Sequence, residues 1–186
     1  MSKNITLKNV MLRYESIFEP KALTSPEGKA GKPTFSATFV LDKEKHKDII
    51  ALVEKQTERT ALDKFGKKVS LKNVPIRDGS EKEKPGFGDE VVFIGAKNET
   101  RPGVVDGGMV PLVGTEGKIH WGCIVNAVIS LYAWSHPTGG KGVSASLGAV
   151  QFVKEGPVRY GADAIDPNEV FETLPASQTA VDVDKF

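Results

Sequence analysis

Between residues 122 and 134 every odd position is apolar: Cys123, Val125, Ala127, Ile129, Leu131 and Ala133. The even positions include Asn126, Ser130, Tyr132 and Trp134. A period of two held over this length predicts a long strand with one face on a core and the other carrying polar groups beside two large aromatics. The Gly-rich turn His136-Pro137-Thr138-Gly139-Gly140-Lys141-Gly142 follows, and then a matching run over 143–153 that sets Val143, Ala145, Leu147, Ala149 and Val153 on one side. The pair predicts a long antiparallel hairpin. Ser144, Ser146 and Gly148 on the second strand suit a tightly curved sheet approached closely by another backbone.

The rest of the chain supplies shorter strands around this hairpin. Residues 4–14 form a first strand, with Ile5, Leu7 and Met11 on one side and Thr6, Lys8, Val10, Leu12 and Tyr14 on the other. A Pro-, Gly-, Ser- and Lys-rich loop spans 19–33. Residues 34–41 place Phe35, Ala37, Phe39 and Leu41 on one face, and 90–96 return to strand. Asp42 is placed to cap a helix over 43–64, whose stripe is Ile49, Ile50, Val53, Thr57 and Ala61. Residues 66–88 are charged and turn-rich, too polar to add much core, and predict a mobile surface excursion. Residues 98–108 read as loop, and a short apolar run covers 109–113. Four or five strands with one helix fit an all-β fold, an antiparallel five-stranded barrel of oligonucleotide-binding (OB) type. A doubly wound α/β fold would need several helices.

Charge divides the chain where the strand pattern ends. Residues 161–186 hold six acids against Lys185, a net of −5, and finish on Phe186; residues 1–160 hold 24 bases against 18 acids, a net of +6. The expected organisation is one domain over 1–160 and a flexible acidic tail over 161–186. A basic body with an acidic tail suggests a polyanionic partner whose surface the tail can occupy in its absence; the alternative is a tail that is acidic only to stay solvated. A terminal aromatic is not explained by solvation. No apolar run approaches the roughly 20 residues needed to cross a bilayer. No secretion signal marks the start, and the single Cys123 can form no internal disulfide, so a cytoplasmic location is expected.

Unpaired nucleic acid needs cations for its backbone and open rings for its bases. The candidates are Tyr132 and Trp134 on the polar face of the long strand, Trp121 near Lys118 at its start, and Tyr14 beside Arg13 at the end of the first strand. Lys97, Arg101 and Lys141 flank those strands and could reach phosphates. Against this, Tyr132 and Trp134 could cover a second core layer under the helix, and Arg101 could be an ordinary loop charge. Phe35, Phe39 and Phe93 are assigned to the core. Catalytic patterns are weaker. His46, His120 and His136 lack metal-ligand spacing. Gly114-Thr115-Glu116-Gly117-Lys118 lacks the gap and following hydroxyl of a phosphate-binding loop, and Gly86-Phe87-Gly88 is only a fragment of a dinucleotide fingerprint. Cys123 lies on the apolar face of its strand. No enzyme and no cofactor are expected.

Several stretches together resemble bacteriophage single-stranded-DNA-binding proteins of the OB-fold replication type: Asn98-Glu99-Thr100-Arg101-Pro102-Gly103-Val104-Val105-Asp106, Trp121-Gly122, Tyr132-Ala133-Trp134, the run from Gly142 to Phe152, and the acidic end with Phe186. The resemblance implies a protein that coats unpaired DNA without sequence preference during phage replication, removes hairpins and shields the strand from nucleases. It also implies that the C-terminus docks replication partners such as polymerase, helicase or primase, a role that falls on Asp182, Asp184 and Phe186. Lys185 interrupts those acids, which implies weaker docking than a denser acidic end would give. A phage structural or assembly adaptor and an RNA-binding protein are the alternatives. Oligomeric state is left open, with a homo-oligomer among the possibilities.

Overall fold

The computed structural model describes residues 4–25 and 27–160. In chain order these form β1 (Asn4–Lys21), β2 (Thr34–Asp42), α1 (Lys47–Phe65), β3 (Ile76–Asp78), β4 (Val91–Asn98), β5 (Gly103–Val105), β6 (Ile124–His136) and β7 (Gly140–Lys154). Antiparallel ladders join β2 to β1, β1 to β6, β6 to β7 and β2 to β4. A short parallel contact, Ala96 beside Ala145 and Lys97 beside Ser146, closes these five strands into a barrel. The two short strands are additions: β3 pairs with the first half of β4, and β5 runs parallel to β7. The expected five-stranded OB-type barrel is the observed architecture. Among the described residues no helix is long and apolar enough to cross a membrane.

The long hairpin forms as its alternation dictates. Val125, Ala127, Ile129 and Leu131 of β6 and Val143, Ala145 and Leu147 of β7 are buried, with Cys123 just before β6. Burial pushes the Cys123 thiol up from its ordinary range, as expected for a packed rather than reactive sulfur. The face assignment on β7 holds only as far as Leu147. Val128 pairs with Ala149 while Ile129 pairs with Leu147, so Gly148 bulges out and Val150 takes the buried place expected of Ala149.

A similar irregularity corrects the first strand. The register jumps between Leu7 and Val10, with Asn9 at φ 54°, so Val10 and Leu12 join Ile5 and Leu7 in the core instead of facing away from them. The strand also continues seven residues past Tyr14. Its second half pairs with β2 through the bulge at Tyr14, and Ile17 is fully buried. Periodicity read without bulges assigns the wrong face beyond each extra residue.

The helix starts later than expected. The Asp42 carboxylate accepts the backbone N–H groups of Glu44 and Lys45 in a turn that precedes α1, and His46 occupies the N-cap position without a side-chain cap. Those backbone bonds, chiefly that of Lys45, hold the Asp42 carboxyl below its usual range. The stripe is as expected: Val53, Thr57 and Ala61 are buried, with Ile49 and Ile50 packed against the same core. The larger correction concerns residues 66–88, which are not a detached excursion. They contain β3, a 3-10 turn over Gly79–Glu81 and Phe87, and they build one side of the site described next.

Candidate nucleic-acid interface

Tyr14 sits in a bulge of β1 at φ 46°, so its ring and the side chain of its neighbour Arg13 both lie outside the core cluster. Against them comes the loop that leaves β3. Asp78 organises that loop: its carboxylate accepts Ser80 N–H at 3.0 Å, Ser80 Oγ–H at 2.6 Å and Lys43 Nζ at 2.7 Å, while Glu81 accepts Asp78 N–H at 3.2 Å. The Lys43 ammonium first, and then Ser80, holds the Asp78 carboxyl far below the ordinary carboxylate range. Lys43 Nζ also donates to Asp89 O, which fastens the far end of the loop.

The loop then turns at Gly86, with φ 85°. A Cβ there would lie 2.5 Å from Arg13 Nη1 and 2.8 Å from Tyr160 Oη, so only glycine fits. This turn delivers Phe87 onto Tyr14, ring centroids 5.9 Å apart and planes within 6°. Trp121 meets Tyr14 edge-on at 5.1 Å, and Phe93 of β4 meets Phe87 edge-on at 5.6 Å. Phe93 is buried as expected, but beneath this cluster and outside the barrel core; Phe39 is the phenylalanine that fills the core.

Cations lie on these rings. The Lys82 ammonium is 4.9 Å from the Tyr14 centroid, 5.3 Å from Phe87 and 4.8 Å from Phe93. The Arg13 guanidinium is 5.1 Å from Tyr14, 5.2 Å from Phe87 and 3.8 Å from Tyr160. Arg77 lies over Phe93 and is neutralised by Glu81 at 2.5 Å. Arg13 and Lys82 have no carboxylate partner among the described residues. Partial burial, with Arg77, Lys84 and Arg13 nearby, pulls the Lys82 ammonium below its usual range. An arginine 4% exposed whose guanidinium bonds only to Pro85 O (2.6 Å) and, at 3.5 Å, Tyr14 Oη is unusual, because buried charge ordinarily has a counter-charge. Rings supply part of that compensation, and an arriving anion would supply the rest.

The strand register connects this cluster to the other aromatic pair. Arg13 stands opposite Thr38 and Thr38 opposite Gly95; next to Gly95 on β4, Ala96 pairs with Ala145 of β7, whose neighbour Ser144 stands opposite Tyr132. These positions form an outward-facing row across β1, β2, β4, β7 and β6, roughly 20 Å long at the usual interstrand spacing. Its midpoint is low, because nothing lies within 4 Å of a Cβ added at Gly95. Lys97, exposed, borders the row between Ser36 and Ser146. At the far end Tyr132 is 39% exposed. Trp134 lies over Gly142 and donates its Nε1–H to Ser144 Oγ at 2.9 Å.

Of the residues singled out in the sequence, Arg13, Tyr14 and Trp121 thus lie together at one end of the row, Tyr132 and Trp134 at the other, and Lys97 beside its middle. Lys141, opposite Ser135, has its ammonium 4.8 Å from the Phe65 ring. Arg101 is exposed just before β5. Lys118 pairs with Asp106 at 3.0 Å. His120 is buried, with Nδ1 3.1 Å from Trp121 O and Nε2 against the Glu155 carboxylate, and so fixes the turn that carries Trp121. Asp182, Asp184 and Phe186 fall outside the described residues. Sequence reasoning missed Lys82, Phe87 and Tyr160. The signal for the first two was present: Asp78 and Glu81 stand at capping-box spacing, and the glycines flanking Phe87 mark a ring held by a tight turn.

The chain is similar to a single-stranded-DNA-binding protein from bacteriophage Enc34 solved in complex with single-stranded DNA: 26% identity, TM-score 0.72, covering 85% of this chain and 89% of that one. It has the fold of gp2.5, a single-stranded-DNA-binding protein encoded by bacteriophage T7, at 15% identity and TM-score 0.60, covering 92% of this chain and 96% of that one. Protein p50 of Acyrthosiphon pisum secondary endosymbiont phage 1 is 33% identical over 184 residues, covering 94% of this chain and 95% of its own. A family model described as the ssDNA-binding protein of Enterobacter phage Enc34 matches residues 3–182, and the chain belongs to that family of phage single-stranded-DNA-binding proteins.

Proposed function

We propose that this chain coats single-stranded DNA without sequence preference during phage DNA replication or recombination, as a non-catalytic protein of the host cytoplasm. The strand crosses the barrel along the outward row, from the Tyr14–Phe87–Trp121 cluster, over Thr38, Gly95 and Ser144, to Tyr132 and Trp134. Bases stack on the exposed ring faces, and Lys82, Lys84, Lys97, Arg101 and Lys141 meet phosphates. Arg13, largely covered in the free protein, braces the rings and awaits an acceptor, while Lys118 is engaged by Asp106. The domain ends near residue 160. The acidic segment 161–186 competes with DNA for the basic surface and, once displaced, offers Asp182, Asp184 and Phe186 to replication proteins.

The observation that carries this proposal is the pairing of Arg13 and Lys82 with ring faces in place of carboxylates. Such a surface serves stacking bases and their phosphates together, and every base has a π-face, which accounts for sequence tolerance. Tryptophan fluorescence tests it, with each tryptophan replaced in turn by Phe to separate the two signals. Oligo-dT is expected to quench both Trp121 and Trp134, and duplex of equal length to quench neither strongly. Quenching of one end alone would break the proposed path, and equal quenching by duplex would refute the single-strand preference.

A further inference from the structure

Tyr160, the last described residue, lies with its ring on the Arg13 guanidinium. The segment after β7 folds back to put it there. Gly156 packs on Gly122, Val158 O and the Tyr160 ring fill the space where a Cβ of Gly122 (φ 102°) would stand, and Tyr160 N–H donates to Trp121 O at 2.8 Å. Two features mark the ring as a substitutable occupant. Its hydroxyl makes no hydrogen bond among the described residues, although a half-buried tyrosine usually uses that group, so what is exploited here is the flat face. Beneath it Arg13 Nε is buried and unpartnered, the one such side-chain atom among the described residues, and therefore a donor without an acceptor in the DNA-free chain.

We propose that the face of Arg13 is a nucleobase subsite, filled in the free protein by Tyr160 and in the complex by a base of the single strand; this rests on the single-strand binding proposed above. A nucleotide offers what Tyr160 offers, a π-face on its base for the guanidinium, and adds a backbone phosphate, an acceptor for the Arg13 N–H groups that a phenol lacks. On exchange the Tyr160 N–H leaves Trp121 O. Because Tyr160 directly precedes the acidic segment 161–186, its departure moves that segment's attachment point away from the interface. A stacking exchange and a charge competition are thereby coupled through a single residue.

Two measurements on the full chain decide the matter. Tyr160→Ala is expected to bind oligo-dT about five-fold tighter than wild type by removing the internal competitor, while Tyr160→Phe, which keeps the face, binds like wild type. In wild-type protein the Tyr160 amide is expected to lose hydrogen-exchange protection on saturation with oligo-dT while amides of the β6–β7 hairpin keep theirs. Weaker or unchanged binding by Tyr160→Ala, or retained protection at Tyr160, would overturn the exchange and make Tyr160 a fixed part of the platform or an irrelevant one. Failure of wild-type protein to bind oligo-dT at all would overturn both this subsite and the proposed function, whereas wild-type binding with no gain in Tyr160→Ala overturns the subsite alone.

Discussion

At the proposed interface a few side chains carry positive charge that no carboxylate among the described residues compensates. Lys82 and Arg13 keep their positive charge against ring faces, where a carboxylate would have neutralised it and closed the site to phosphate. Phe87 is the ring that makes this possible, since it touches Tyr14, Phe93, Lys82 and Arg13 together. Phe87→Ala should therefore weaken oligo-dT binding by about 1–3 kcal/mol, the range for losing one stacking platform. Isothermal titration of the folded variant checks this, and a loss under twofold would remove Phe87 from the site. Tyr14 and Trp121 were legible in the sequence as aromatics close to a cation, Arg13 and Lys118, at what read as the ends of strands. The capping-box spacing of Asp78 and Glu81 and the glycines around Phe87 marked an ordered turn there, but a run as polar as Ser80-Glu81-Lys82-Glu83-Lys84 reads as solvated surface, and nothing local says which of its lysines will lie over a ring.

At the level of elements, the barrel and the loop from 79 to 90 are held by different forces. The barrel rests on apolar burial along alternating strands, which is why the hairpin, β2, β4 and the helix stripe could be read directly. The faces of β1 and β7 could not be read past the Leu7–Val10 and Gly148 bulges, since an inserted residue leaves no trace in composition. The loop rests on the Asp78 carboxylate, tied to Lys43, Ser80 and the turn. A carboxyl depressed on folding contributes stability above its unfolded value, about pH 4, and that contribution is lost as pH falls through the lower folded value. Acidification below about pH 4 is thus expected to loosen the loop. Asp78→Asn should already show this at neutral pH: faster amide exchange over 79–90, weaker oligo-dT binding and a nearly unchanged melting temperature. A large drop in melting temperature would mean that the loop is integral to the barrel.

For the whole molecule, the central matter is the opposition between a basic body, net +6 over residues 1–160, and an acidic segment, net −5 over residues 161–186. Charges this close to balance favour competition between segment and DNA for one surface. Deleting residues 163–186 should tighten oligo-dT binding and abolish contact with a replication polymerase or helicase; unchanged affinity would mean that the segment does not gate the site. Charge division was the most legible property of the chain, since it needs only counting, whereas the row across five strands depends on a closure between β4 and β7 that no local pattern announces. The most direct test of the account is the salt dependence of oligo-dT affinity for the full chain. With about four or five phosphates neutralised along the row, the log–log slope is predicted near −3, at about −0.7 per contact. A slope near zero would contradict a binding surface built from unpaired cations.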